Sequence, residues 1–187
     1  GFIGSNLCHA LIQNGYSVIG IDNLSTGRFE NIESLNPDSF IFIQIDLFDE
    51  WEKCLLLKEK YKKISKIFHL AANADVRGGE YNSRIDLDQN ITVTHNICEI
   101  CKILNINHLL FASTAAIYGE PEAENIPTKE TYHPLQTSHY GASKIAAEAI
   151  IESYSAYKYF KTSSFRFVSW IGPNYSHAVS YTHLTLP

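Results

Sequence analysis

Short apolar runs alternate along the chain with stretches whose apolar residues recur every three or four positions. Residues 5–14 carry Leu7, Ala10 and Leu11 on one helical face, and Gly15 follows where a helix would be capped. Ser17-Val18-Ile19-Gly20-Ile21 reads as a buried strand, and residues 40–45 read as a second. An amphipathic stretch over 50–62 predicts a helix. The strand signal returns at Lys66-Ile67-Phe68-His69-Leu70 and at His108-Leu109-Leu110-Phe111-Ala112, on either side of a helical pattern over 91–104. A helix over about 139–157 then leads into a strand over 162–168. Between them, residues 119–137 are polar, contain Pro121, Pro127 and Pro134, and predict a long irregular segment.

Strands of five or six residues alternating with helices imply an α/β domain built on a parallel sheet with helices on both faces. The chain has 187 residues, enough for one domain with a substantial core, and no compositional shift marks a second. A net charge of -5 argues against binding nucleic acid or an anionic membrane surface. No apolar run reaches the roughly 18 residues that a membrane span needs. Cys8, Cys54, Cys98 and Cys101 show neither a disulfide framework nor metal-ligand spacing. Cys98 and Cys101 fall inside a helical pattern, where packing is the expected role. Reduced thiols in a cytoplasmic protein are the simplest interpretation.

Candidate chemistry concentrates at Tyr140-Gly141-Ala142-Ser143-Lys144. A Tyr and a Lys four apart on a helix share one face, one turn apart. An ammonium beside a phenol favours the ionised form, so Tyr140 is expected below the ordinary value of about 10. Such a phenolate is a general base suited to a sugar hydroxyl. A surface Tyr with a solvated Lys is the plainer alternative. Ser113-Thr114 closes the run at 108–112 and offers hydroxyls to a substrate oxygen and to Tyr140, with turn capping as the alternative.

Other positions suit a dinucleotide. Gly1-Phe2-Ile3-Gly4 has the spacing of the back half of a glycine-rich turn, opening a helix whose N-terminus favours phosphate. Asp22-Asn23 follows the second apolar segment, where a carboxylate accepts from both adenosine ribose hydroxyls and repels a 2′-phosphate, favouring NAD over NADP. An Asp opening a loop turn with Asn23, Ser25 and Gly27 is the alternative. Asp46-Leu47 can meet the adenine amino group, and Leu70-Ala71-Ala72 lets backbone lie close to a cofactor. Taken singly, these are capping and packing residues. Together they fall at consecutive carboxyl ends of parallel strands, the crevice where ligands bind. His69 is expected to be a hydrogen-bonded core residue, and Arg77 and Arg84 solvated loop cations.

The chain then resembles a known family through five motifs in order. They are Gly-Phe-Ile-Gly-Ser-Asn at 1–6, Asp-Asn-Leu-Ser-Thr-Gly at 22–27, His-Leu-Ala-Ala at 69–72, Ser-Thr-Ala-Ala-Ile-Tyr-Gly at 113–119 and Tyr-Gly-Ala-Ser-Lys at 140–144. They resemble the extended short-chain dehydrogenase/reductase family in its nucleotide-sugar epimerase/dehydratase branch, the UDP-glucose 4-epimerases above all. The resemblance implies an α/β, Rossmann-type doubly wound parallel sheet over 1–179 that holds NAD. It also implies that the sheet is truncated at its first strand and that a smaller C-terminal substrate domain is lacking. Residues 180–187 break from the preceding pattern and are expected to be a non-native tail. Such a piece is expected to show no turnover by itself.

Residue by residue, the resemblance implies Tyr140 as base and Lys144 as the residue that holds the nicotinamide ribose and lowers the Tyr pKa. Thr114 is implied as partner of the substrate hydroxyl, with Ser113 beside it. Phe2 and Ile3 would border the pyrophosphate, Ser25, Thr26 and Gly27 belong with Asp22 and Asn23 on the cofactor, and Asn90 would support the nicotinamide side. The implied activity is 4-epimerisation of a UDP-hexose through a 4-keto sugar, in a homodimer formed by the helices over about 90–104 and 139–157. Ala115 and Ala116 stand where dehydratases and decarboxylases carry an acid, which favours epimerisation over 4,6-dehydration or decarboxylation. A sugar-nucleotide reductase with net use of the cofactor and a non-catalytic binding protein are further alternatives. Ser169, Trp170 and Asn174 depart from the family's Asn and Arg, which leaves the substrate contacts open.

Overall fold

The computed structural model describes residues 1–170 except 62, 133 and 134, together with 172 and 173. Two compact units are present, Gly1–Gln44 with the described residues from Ser169 onward, and Ile45–Val168. All five expected strands form, and every pairing among them is parallel.

In the first unit, α1 (Phe2–Gln13) leads to β1 (Val18–Asp22), which pairs with β2 (Phe40–Gln44) from Val18 opposite Phe40 to Asp22 opposite Gln44. The helix starts three residues before the expected 5–14, with Gly1 at its N-cap. Its end turns off at Gly15 as expected, Gly15 N–H donating to Ile12 O at 2.9 Å and Tyr16 N–H to Leu11 O at 3.1 Å.

The second unit holds a three-stranded sheet in the order β3 (Lys66–His69), β4 (His108–Thr114), β5 (Lys161–Phe167). Before it, the expected helix over 50–62 is a 3₁₀ segment, Trp51–Leu56, followed by one α turn, α2 (Leu57–Lys60). The buried residues there are Cys54 and Leu57, three apart, which a three-residue turn stacks on one side. Between β3 and β4 come α3 (Gly78–Tyr81), α4 (Ser83–Asp86), a π turn (Leu87–Thr92) and α5 (Val93–Ile103). The helical path therefore begins upstream of the expected residue 91. The wide π turn brings Asp86 and Asn90, four apart, onto one inward face, where both are fully buried. Between β4 and β5 comes α6 (His139–Ala156), which packs against α5, β4 and β5.

β4 alternates buried with half-buried residues, so Leu109, Phe111 and Ser113 share its inner face. Around them Ile97, Cys98 and Cys101 of α5 and Ala147 and Ile151 of α6 complete an apolar core. Burial pushes both α5 thiols up, Cys98 to about 12, so these cysteines pack rather than react, as expected. The alternation of α and β elements, read from the sequence as an α/β fold, holds in both units.

Candidate functional site

Successive residues of a strand point to opposite faces, so Ser113 and Thr114 part company at the end of β4. Thr114 opens a 3₁₀ turn over Ala115–Tyr118, its Oγ accepting from Ala116 N–H at 3.1 Å. The hydroxyl proton is left to donate to the phenol of Tyr140, with which Thr114 is hydrogen-bonded. Tyr140 stands at the start of α6, where Ser138 Oγ caps the helix by accepting from Gly141 N–H at 3.0 Å. One turn on, Lys144 is 4% exposed. Its Nζ donates to Ala112 O at 3.0 Å and lies 4.8 Å from the Phe111 ring centroid and 5.9 Å from that of Tyr140. Thr114, Tyr140 and Lys144 are thus brought together.

Two expectations are corrected. The Tyr140 phenol lies above its ordinary value, not below it. Burial raises it, the Thr114 hydrogen bond opposes, and the Asp86 carboxylate adds to the rise. Lys144 is not among the groups that set this balance; its ammonium donates to the Ala112 carbonyl, and its Nζ lies 5.9 Å from the Tyr140 ring centroid. Its own pKa falls from 10.5 to about 8 through burial, against the charges of Asp86 and Glu148. Ser113 is not brought to the phenol either. It is buried on the inner face of β4, and its hydroxyl donates to Glu148 Oε1.

Glu148 anchors a cluster of its own. Arg166 on β5 donates to it through Nε at 3.2 Å and Nη2 at 2.8 Å, and through Nη1 to Tyr118 OH and Glu130 O, each at 2.8 Å. Register explains the meeting, since Arg166 lies opposite Ser113 in the β4–β5 ladder. Sequence reasoning missed Glu148 and Arg166. The spacing Tyr140, Lys144, Glu148 along one helical face was the available signal for the first. It also missed Asp86, whose carboxylate accepts from Asn90, and Asn73, whose backbone N–H donates to Asn90 while its side chain donates to Asp86.

Asn90 Oδ1 accepts from Asn73 N–H at 2.8 Å, which fixes the segment leaving β3 through Leu70, Ala71 and Ala72. Its Nδ2 donates to Ser143 Oγ at 2.8 Å and to Asp86 Oδ1 at 3.2 Å. Asn96 Nδ2 holds the carbonyls of Leu47 and Phe48 at 2.9 and 3.3 Å, and Asp46 Oδ1 accepts from Phe48 N–H at 2.9 Å. His69 behaves as a core residue. Thr94 donates its only proton to Asn90 O at 2.5 Å, so His69 Nε2 is the donor in the 2.9 Å bond to Thr94. Its Nδ1 has no partner among the described residues. Burial, and then the charge of Lys144, lower its pKa to about 3, which keeps the ring neutral. Arg77 is exposed as expected, whereas Arg84, also exposed, lies in α4 rather than in a loop and pairs with Asp88 at 2.8 Å.

In the first unit, Asp22 ends β1 with its side chain 34% exposed. Oδ1 accepts from Leu24 N–H at 2.8 Å, and Oδ2 lies 3.3 Å from the Gly1 amine. The glycine turn and this carboxylate are therefore neighbours. Asn23 Oδ1 accepts from Ser25 N–H at 3.0 Å, and the loop through Thr26 curls until a Cβ on Gly27 would lie 2.9 Å from Asp22 Oδ2. Only glycine leaves that carboxylate in place. No side-chain cap serves the first turn of α1, which runs through Phe2, Ile3 and Gly4. Ser169 and Trp170 are exposed, whereas Asn174 and residues 180–187 lie outside the described residues. Among the described residues, no helix is long and apolar enough to cross a membrane, and no three His, Cys, Asp or Glu side chains group as a metal site would need.

Residues 1–185 match the family described as the NAD dependent epimerase/dehydratase family. UDP-glucose 4-epimerase of Mycolicibacterium smegmatis is 34% identical over 156 residues, which are 82% of this chain and 48% of that protein. Among solved structures, UDP-N-acetylglucosamine 4-epimerase from Methanobrevibacter ruminantium, in complex with UDP-N-acetylmuramic acid, matches with a TM-score of 0.84 and 34% identity, over 97% of this chain and 56% of that one. The Thermus thermophilus UDP-glucose 4-epimerase in complex with NAD matches with a TM-score of 0.78 and 34% identity, over 89% and 51%. The chain thus spans about half the length of these relatives.

Proposed function

This chain belongs to the NAD dependent epimerase/dehydratase family, and from that premise we propose that the protein is a nucleotide-sugar 4-epimerase acting on a UDP-hexose. The observation that carries the reading is the Thr114–Tyr140 hydrogen bond at the carboxyl end of β4, with Lys144 buried one turn along α6. Tyr140 takes the proton of the C4 hydroxyl and returns it after the 4-keto sugar has presented its other face. Thr114 donates to the Tyr140 oxygen, favouring its charged form, and orients the sugar hydroxyl beside it. Lys144 holds its ammonium on the same side of α6 and binds the nicotinamide ribose. Ala115 and Ala116 supply no acid or base for elimination, which supports epimerisation over dehydration.

The residues present fit NAD. Asp22 keeps a partly exposed carboxylate at the end of β1, in a cradle that a Cβ on Gly27 would fill, and this suits two ribose hydroxyls. Gly1, Phe2, Ile3 and Gly4 would meet the pyrophosphate through backbone N–H groups. Asn23, Ser25, Thr26, Asp46 and Leu47 would serve the adenosine side, and Leu70, Ala71, Ala72 and Asn90 the nicotinamide side. Bound NAD supplies the hydride acceptor and donor, so the conversion is redox-neutral. The buried thiols suit a reducing cytoplasm. A homodimer through α5 and α6 is read by light scattering at full length, where a monomer mass would remove it.

The decisive test incubates the whole protein with UDP-glucose and follows the products by NMR. UDP-galactose supports the reading, whereas a 4-keto-6-deoxy sugar or net reduction of NAD would replace it. Tyr140→Phe should lower kcat by roughly 10²- to 10⁴-fold with NAD affinity retained.

A further inference from the structure

Asp86 is 2% exposed, yet its two oxygens are treated differently. Oδ1 accepts from Asn73 Nδ2 at 2.9 Å and Asn90 Nδ2 at 3.2 Å. Oδ2 is buried without a hydrogen-bond partner among the described residues. The backbone of Gly79 walls it in, since a Cβ there would lie 2.5 Å from Oδ2 and 3.4 Å from the Cβ of His139 on α6. A buried carboxylate with one oxygen unserved is unfavourable unless a cation compensates it. α4 packs on α6, whose buried cation is Lys144. A chain of hydrogen bonds runs the same way, from Asp86 through Asn90 to Ser143 Oγ at 2.8 Å, and from Ser143 Oγ to Tyr140 O at 2.8 Å.

We infer that Asp86 is a positioning residue for the proposed reaction, its carboxylate being the countercharge that keeps the Lys144 ammonium in its dry site while Asn90 and Ser143 tie it to the helical turn carrying Tyr140. The inference rests on the roles given above to Tyr140 and Lys144. The titratable groups around Lys144 are Asp86 from α4, His69 from β3, and Tyr140 and Glu148 from α6, with the Phe111 ring and Ala112 carbonyl of β4 completing its surroundings. His69 is neutral, and Glu148 shares its charge with Arg166 and Ser113. Among the described residues, Asp86 is the negative charge beside Lys144 that has no ion pair with another cation. Burial lowers Lys144 to about 8, and Asp86 is the foremost charge opposing that fall. The same charge raises Tyr140.

Asp86→Asn in the whole protein keeps an acceptor for Asn73 and Asn90 and removes the charge. Both Lys144 and Tyr140 should then titrate lower, so the kcat/KM profile should move to lower pH by about one unit. An undisplaced profile, whether lowered at every pH or unchanged, overturns the inference, because a merely structural role changes height alone. If Asp86→Asn fails to fold, Asp86→Ser, which leaves room for a water, is read by the same displacement. Tyr140→Phe assayed alongside separates the two ideas. Full activity there removes the underlying reading and this inference with it, whereas an inactive Tyr140→Phe beside an undisplaced Asp86→Asn removes the inference alone.

Discussion

Two buried carboxylates flank Lys144, and they are satisfied in opposite ways. Glu148 meets Arg166 through both oxygens and accepts from Ser113 as well, so its charge is matched within its own cluster. Among the described residues, Asp86 has only the amides of Asn73 and Asn90, both on one oxygen. A fully paired cluster joins elements, here α6, β4, β5 and the irregular segment at Glu130. A half-paired one leaves its field to act on neighbours. The contrast assigns anchoring to the Glu148 side of Lys144 and electrostatic tuning to the Asp86 side.

Breaking the paired side should give the largest effect. Arg166→Met strands the Glu148 charge in the interior and should cost about 3–5 kcal/mol of stability, read from urea denaturation. A loss under about 1 kcal/mol would make the pair an ordinary surface bridge and dissolve the contrast. The two faces of β4 give the next test. Thr114→Val should lower kcat by roughly 100-fold with little change in melting temperature. Ser113→Ala should instead cost about 1 kcal/mol of stability and leave turnover in place. Reversed outcomes would mean that the wrong hydroxyl has been assigned to Tyr140.

A dependence on pH completes the series. Lys144 titrates at about 8 when folded and near 10.5 when unfolded, so between those values the unfolded chain binds more protons. Stability should therefore rise with pH across that window, by roughly 2 kcal/mol between pH 8 and 10 from this group. Above pH 10 the raised phenol of Tyr140 acts in the opposite direction. Lys144→Met should lack the rise when unfolding is compared at pH 8 and 10, and an identical slope in both proteins would move the titration elsewhere.

Much of this arrangement was legible from residue order. Four of the five strands were legible as short apolar runs between turn residues, and the fifth, Lys161–Phe167, from its place after the helix that follows β4. Tyr140 and Lys144 could be paired because helical spacing is fixed. The start of the Asp86–Asn90 helix was not legible, since a π turn leaves no mark in an apolar period. The 3₁₀ path of Trp51–Leu56 was not legible either, because Cys54 and Leu57 satisfy a three-residue turn as well as a longer one.

By itself, the order of residues determined the alternation of elements, the side on which Tyr140 and Lys144 lie, and the motifs that place the chain in its family. These follow from local geometry, in which the backbone repeat alone decides who shares a face. Only tertiary structure decided that Ser113 turns to Glu148, that Asp86 keeps one oxygen unserved, and that Tyr140 is raised rather than lowered. Such outcomes depend on burial and on charges brought from distant segments, and a pKa answers to the surrounding volume rather than to the neighbouring residue.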